Sequence, residues 1–202
     1  MFTRVVRSST VATAAAFVVV CYLSGGALAQ PRVHPSSPAV NQHAPKKPRP
    51  VVRLTTRAFG PVTIGTGLTS GERTLRARLG PPTRVTNGGC ELSGEKARSL
   101  TWGPLNADFS DRNRVGGRLL LVGWRVYPGV SRFTVSLPYK VAVGTPTPAA
   151  KRRIPNATGS FVSIFGVYEL TSKSAPGVVW FSAKRNGTGP ITLIALNLEA
   201  CE

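Results

Sequence analysis

The chain repeats itself. Phe109-Ser110-Asp111-Arg112 is echoed by Phe181-Ser182-Ala183-Lys184, and the match runs on without a gap, placing Gly117 on Gly189, Leu119 on Ile191, Leu121 on Leu193 and Val126 on Leu198. Upstream, Val62-Thr63-Ile64-Gly65-Thr66 answers Val141-Ala142-Val143-Gly144-Thr145. The two echoes stand 72 and 79 residues apart. The unit is therefore about that long, with a few residues lost from the middle of the second copy.

Local signals give the unit its contents. Thr69-Ser70-Gly71-Glu72 has the spacing of a capping box, in which hydroxyl and carboxylate satisfy free backbone donors at a helix start. Leu75 and Leu79 then lie four apart on one face, and Gly80-Pro81-Pro82 ends the element. In the second copy Thr147-Pro148 opens a helix, Ile154 takes the place of Leu75, and Pro155 cuts the helix short. Alternation at Leu105, Ala107 and Phe109 predicts a strand, and the apolar run from Leu119 to Trp124 predicts a central one. In the second copy Phe161, Ser163, Phe165, Val167 and Glu169 are assigned to one side of a strand, followed by strands over 178–183 and 191–198. Asn186-Gly187 between the last two signals a tight turn. The expected fold class is α+β: two tandem helix-plus-antiparallel-sheet repeats, about 59–135 and 136–202, following a disordered arm.

Residues 1–29 have the pattern of a secretory signal peptide: Arg4 and Arg7, the apolar run Val11 to Leu23, then Ala27-Leu28-Ala29. This run of thirteen residues falls short of the roughly 20 that span a bilayer. The expected location is secreted, with a membrane anchor formed by an uncleaved N-terminal segment as the alternative. Val18-Val19-Val20 ahead of Cys21 argues against a lipidated cysteine. Residues 30–58 hold six prolines and six basic residues with no acidic one, which predicts an extended, disordered basic linker. The remaining 59–202 are enough for one ordinary domain.

Beyond the signal segment two cysteines remain, Cys90 and Cys201. In a secreted chain they are expected to form one disulfide, with two unpaired thiols as the alternative. The loop would exceed a hundred residues, for which chain entropy gives about 4 to 5 kcal/mol, less any strain. Both histidines, His34 and His43, fall in the linker. A folded part without histidine excludes Ser-His-Asp triads and Cys-His pairs, and two cysteines alone cannot fill a zinc shell. Asp108 and Asp111 are the only close aspartates, one outward on its strand and one in a turn, and are expected to be solvated. No glycine loop fits phosphate cradling, so neither catalytic site, metal nor cofactor is expected.

The sequence Gly144-Thr145-Pro146-Thr147, followed by Ala150, Ile154, Pro155 and Ala157, resembles the helix start and small-residue turn of the β-lactamase inhibitory proteins of actinomycetes. It is also similar to the helix-plus-sheet unit of small outer-membrane assembly lipoproteins. The likeness covers about fifteen residues per copy, and the first copy departs from it at Arg73 and in helix length. It implies a non-enzymatic binding or scaffolding module and carries over no particular partner.

Charge supplies the rest of the functional expectation. The folded part carries 18 basic residues against 8 acidic ones, a net of +10. Such a field speeds encounter with polyanions and weakens with salt. Arg73, Arg76 and Arg78 in the first copy, and Lys151, Arg152 and Arg153 in the second, predict two basic helix ridges. The expected function is non-enzymatic capture of an anionic envelope polymer, an anionic lipid surface or an acidic protein. The alternative is an inhibitor-like module that meets a protein target through its sheet face and turns. Nucleic acid ranks lower, because Trp102, Trp124 and Trp180 lie in apolar strand patterns rather than among the basic residues where they could stack on bases.

Overall fold

A computed structural model describes residues 49–90, 94–112 and 117–198. The elements run β1 (Val51–Thr55), β2 (Ala58–Phe59), β3 (Val62–Thr63), α1 (Leu68–Leu79), β4 (Arg84–Cys90), β5 (Glu95–Trp102), β6 (Leu105–Ser110), β7 (Leu120–Val126) and β8 (Thr134–Ser136). After a 3₁₀ turn at Pro138–Lys140 come α2 (Thr147–Arg153), β9 (Ala157–Val162), β10 (Val167–Ser172), β11 (Val178–Ser182) and β12 (Ile191–Leu196). One sheet has eight strands in the order β4-β5-β6-β7-β12-β11-β10-β9, and a small one has four, β3-β2-β1-β8.

The expected α+β class of two helix-plus-sheet repeats is corrected. Among the described residues strand makes up 46% and helix 15%, with two α-helices against a sheet of eight strands and another of four. The small sheet arises where no strand was expected: β1 pairs in parallel with β8 and antiparallel with β2. Helix contributes little because proline confines it. Pro146 at the N-cap and Pro155 beyond the end bracket α2, which is seven residues long.

The small sheet also takes residues assigned to the linker. Val52 and Leu54 are buried while Val51 and Arg53 face solvent. This is the period-2 pattern of a half-buried strand, concealed in the sequence by surrounding proline and charge. Trp124 fastens the segment, its indole Nε1 donating to the Thr55 carbonyl at 2.8 Å.

One face of the large sheet holds the core. Leu100, Trp102, Leu105, Leu121, Trp180 and Ile194 pack with Val52, Leu54 and Phe59 of the small sheet, with Leu75 and Leu79 of α1, and with Ala150 and Ile154 at α2. Fully burying each leucine contributes roughly 1.5 to 3 kcal/mol, which is what holds a twelve-residue helix that would be marginal alone. Helix α1 approaches closely at Gly71, where an added Cβ would stand 3.0 Å from Cε1 of Phe109.

The helix start differs from the expected capping box. The N-cap is Gly67, with no side-chain cap. Ser70 Oγ donates to the Gly67 carbonyl, and Glu72 is drawn instead to Arg76 and Arg98. The end follows expectation: Gly80 adopts φ +79°, its N–H donates to the Arg76 carbonyl, and prolines follow.

Two strand assignments also change. Residues 161–169 are not one strand: β9 ends at Val162, Gly166 turns at φ +65°, and β10 begins at Val167. The second change concerns the offset of 72 residues. The backbone places Ile191, not Leu193, in the situation of Leu121: Gly65 N–H donates to Leu121 O and Leu121 N–H to Thr66 O, as Gly144 does to Ile191 O and Ile191 to Thr145 O. The two hairpins carry like register shifts, at Asp108/Phe109 and Phe181/Ser182, but the β11–β12 hairpin is three residues shorter, with Phe181↔Leu193 where the first has Asp108↔Gly123. A one-residue slip turns every side chain to the opposite face. Phe109 accordingly belongs to the core cluster, whereas Phe181, also buried, lies outside it.

The two halves of the large sheet join at β7 and β12 through Ile194↔Val126, Ala195↔Arg125 and Leu196↔Trp124. The join is tight at Gly123, where a Cβ would stand 2.2 Å from the Leu196 carbonyl oxygen.

Candidate functional site

Two surfaces carry the chemistry. The first comprises the helix cations. Arg73, Arg76, Arg78, Lys151, Arg152 and Arg153 are all exposed, but helical geometry does not align them into ridges. At about 100° per residue, Arg76 stands about 60° from Arg73 and Arg78 emerges on the other flank of α1. Lys151, Arg152 and Arg153 are consecutive and fan around the last turn of α2, forming a collar at its C-terminal end, where the helix dipole favours cations. The expectation of two ridges is corrected to a spread group and a collar.

Pairing separates the two groups. On α1, Arg76 meets Glu72 at 2.7 Å, and Arg98 reaches the other oxygen of the same carboxylate at 3.3 Å. On α2, Arg153 donates to the Lys140 carbonyl at 3.4 Å. Among the described residues no carboxylate pairs with Arg73, Arg78, Lys151 or Arg152.

The second surface is the other face of the large sheet, and the sequence did not single it out. Alternation turns Ser99 and Asp108 away from the core, and Arg125 pairs beside them in register. Arg125 grips Asp108 with two bonds, Nε to Oδ2 at 2.9 Å and a terminal nitrogen to Oδ1 at 2.7 Å. Ser99 donates to Asp108 Oδ1 at 2.6 Å. Nearby, Ser110 donates to the Glu95 carboxylate and accepts from the Arg112 N–H. These groups border a cleft of ≈ 250 Å³ that Val122, Asn197 and Leu198 close on the far side. Asp108 is thus bound to a buried guanidinium rather than solvated as expected. With Asp108 held by Arg125 and Glu95 by Ser110, both carboxylates are engaged in internal bonds. Asp111 is engaged too, accepting from the Lys96 N–H at 2.8 Å. Among the described residues no group of three or more His, Cys, Asp or Glu side chains gathers to hold a metal.

Arg125 had one readable signal, a lone cation inside the apolar run Leu119 to Val126. The three tryptophans lie where the apolar patterns put them, with exposures of 1%, 0% and 0%. Trp102 Nε1 donates to the Gly80 carbonyl at 2.9 Å, while Trp180 Nε1 has no partner.

Among the described residues Glu169, on the open face of β10, is the one carboxyl whose surroundings shift its pKa. Partial desolvation pushes it above the usual glutamate value.

No family model matches the chain, nor does any curated protein or solved structure. Function therefore has to be argued from the surfaces themselves. The expected Cys90–Cys201 bridge falls on Cys201, outside the described residues, as do the signal segment and residues 30–48.

Proposed function

We propose that the protein is a secreted or envelope-exposed, non-enzymatic binding protein that captures an anionic partner through the cations of α1 and α2. The observation that carries the proposal is the set of exposed helix cations without a carboxylate partner, Arg73, Arg78, Lys151 and Arg152, in a folded part of net charge +10. Exposed, unpaired cations keep their field for an incoming anion, whereas paired ones spend it locally. An anionic envelope polymer, a lipid surface or an acidic protein all meet that requirement. A Cys90–Cys201 disulfide belongs to the same proposal. Gly89 and Leu198 border one cleft, and the three residues from Leu198 to Cys201 reach at most about 10 Å.

Replacing all six helix cations by glutamine tests the proposal, with dextran sulfate as the probe. The melting temperature should hold nearly constant, because exposed charges contribute little to stability. Binding should fall at least tenfold, about 1.4 kcal/mol. Loss of binding instead in a control variant with glutamine at Arg112, Arg118, Lys184 and Arg185 would move the site to the turns and overturn the assignment.

The cleft beside Asp108 and Arg125 favours a second reading, an inhibitor-like module that uses its sheet face against a protein target. Salt separates the two. Capture by helix cations collapses as ionic strength rises, and a sheet-face interface weakens little.

A further inference from the structure

The residues expected to continue a strand through 161–169 instead form a corner of the molecule with an unusual surface. The hairpin β9–β10 is the outermost pair of the large sheet, and its tip presents Ile164 at 82% and Phe165 at 51% exposure. The tip is a closed turn, with Phe165 N–H donating to Val162 O at 3.3 Å and Gly166 N–H to Ser163 O at 3.2 Å. Beside it lies the β11–β12 turn. The Arg185 guanidinium stands 5.3 Å from the centre of the Phe161 ring, and Gly187 packs so closely on Tyr168 that a Cβ would meet its ring at 2.7 Å. Lys184 is exposed next to Arg185. Neither 157–168 nor 178–198 contains an acidic residue. The hairpin's one carboxylate, Glu169, lies further along β10, and the apolar tip itself is flanked by Lys184 and Arg185.

Solvent is an unfavourable environment for that combination, and the surface of an anionic bilayer is a fitting one. Aliphatic and aromatic side chains gain by entering the acyl boundary, while lysine and arginine remain at the headgroup phosphates. Each cation near such a surface adds an attraction that salt screens. At the same end of the sheet the loop after β7 adds Val130, 92% exposed, because β12 runs antiparallel to β7 and places its own start beside the end of β7. We infer that this corner docks on an anionic lipid surface, with Ile164 and Phe165 entering the interface and Lys184 and Arg185 meeting phosphate. The inference deepens the anionic-partner reading by naming a lipid, and it uses residues distinct from the helix cations.

The test places a reporter at the tip. Phe165→Trp in the full chain, mixed with vesicles of brominated phosphatidylglycerol, should show blue-shifted and quenched emission over the signal of the three buried tryptophans. Leu198→Trp, at the other end of β12, should show neither change. Phosphatidylcholine vesicles should leave both unaffected. Adding Ile164→Ser to Phe165→Trp should weaken the quenching transition at least tenfold, and Lys184→Gln with Arg185→Gln should do the same. Binding of dextran sulfate should persist in the Ile164→Ser variant, which separates the tip from the helix cations. An unquenched tip, or quenching indifferent to Ile164→Ser, overturns the inference. So does a blue shift without lipid that grows with protein concentration, because the tip would then be covered by a second copy of the chain. If the helix-cation variant keeps its dextran sulfate binding while the tip is still quenched, the proposed function fails and the lipid contact stands.

Discussion

The half of the large sheet built from β4 to β7 and the half built from β9 to β12 meet at one seam, yet they are finished differently. Over the first half lie α1 and, through the Trp124 bond to Thr55, the small sheet. Both of its tryptophans, Trp102 and Trp124, have their indole donors satisfied. Against the second half lies a helix of seven residues, and Trp180, as fully buried as the others, packs 6.2 Å from Tyr139 with its Nε1 unpaired. The open faces differ as well. The first half carries the Asp108–Arg125 pair, whereas Ala195 stands opposite Arg125 across the seam. The same backbone arrangement at Leu121 and Ile191 thus supports a half whose two buried indoles are both bonded and a half whose buried indole is not. Local pairing sets the frame, and the layer laid over it decides how complete the interior is.

The largest expected effect tests which residues correspond across the seam. Leu121→Ala and Ile191→Ala should each cost about 2 to 5 kcal/mol in denaturant unfolding, since both side chains are fully buried in the core. Leu193→Ala, on the open face and only half-buried, should cost about 1 kcal/mol or less. Equal losses at Leu121 and Leu193 would restore the offset of 72 residues and break the correspondence with Ile191.

Next comes the polar asymmetry. Arg125→Ala should cost about 1 to 3 kcal/mol by leaving Asp108 half-buried without its counter-charge. Asp108→Asn added to it should recover part of that loss. Additive losses in the double variant would mean that the pair is not energetically coupled.

A smaller contrast concerns the indoles. Trp124→Phe removes a made hydrogen bond and Trp180→Phe removes an unmade one. Thermal unfolding should therefore find the first more costly by about 1 kcal/mol. Indistinguishable losses would show that the two halves are equally well satisfied.

The smallest effect belongs to Glu169. Its pKa is raised in the folded state by desolvation, so the folded protein holds the proton more tightly than the unfolded chain and stability falls as pH rises through that interval. Glu169→Gln should raise the melting temperature slightly at pH 7, and the gain should vanish once the pH is low enough to protonate the carboxyl in both states. A gain that persists at low pH would assign the effect to packing.

These contrasts also explain what the sequence could show. Apolar patterning located all three tryptophans, and Gly80-Pro81 ended α1 where expected, because each signal acts over a few residues. Asn186-Gly187 likewise falls in the turn between β11 and β12, where Gly187 takes φ +65°. The pairing of 109 with 181 failed because the strand pairing matches Phe181 to Asp108 and the second hairpin is three residues shorter, an offset that nothing in the side chains records. β1 was hidden because its inward Val52 gains meaning only opposite β8, some eighty residues later, and Leu54 only beside the two-residue strand β2. At the β9–β10 tip the alternation of Phe161, Ser163 and Phe165 imitated a strand, and Gly166 was the available sign of a turn. Of the site, the exposure of the helix cations was legible. Their angular spread followed from helix geometry that the ridge picture overlooked, and the cleft around Arg125 depended on strands β4 and β5, which had no clear pattern.

The order of strands in the large sheet bears on how the chain reaches this structure. Its final strand in sequence, β12, occupies the middle of the sheet between β7 and β11. Until Ile191–Leu196 has been made and has inserted, both neighbours are unpaired edges, open to pairing with another molecule. The centre closes last. A chain stopped short of Ile191 would present two sticky borders where the finished one has a seam.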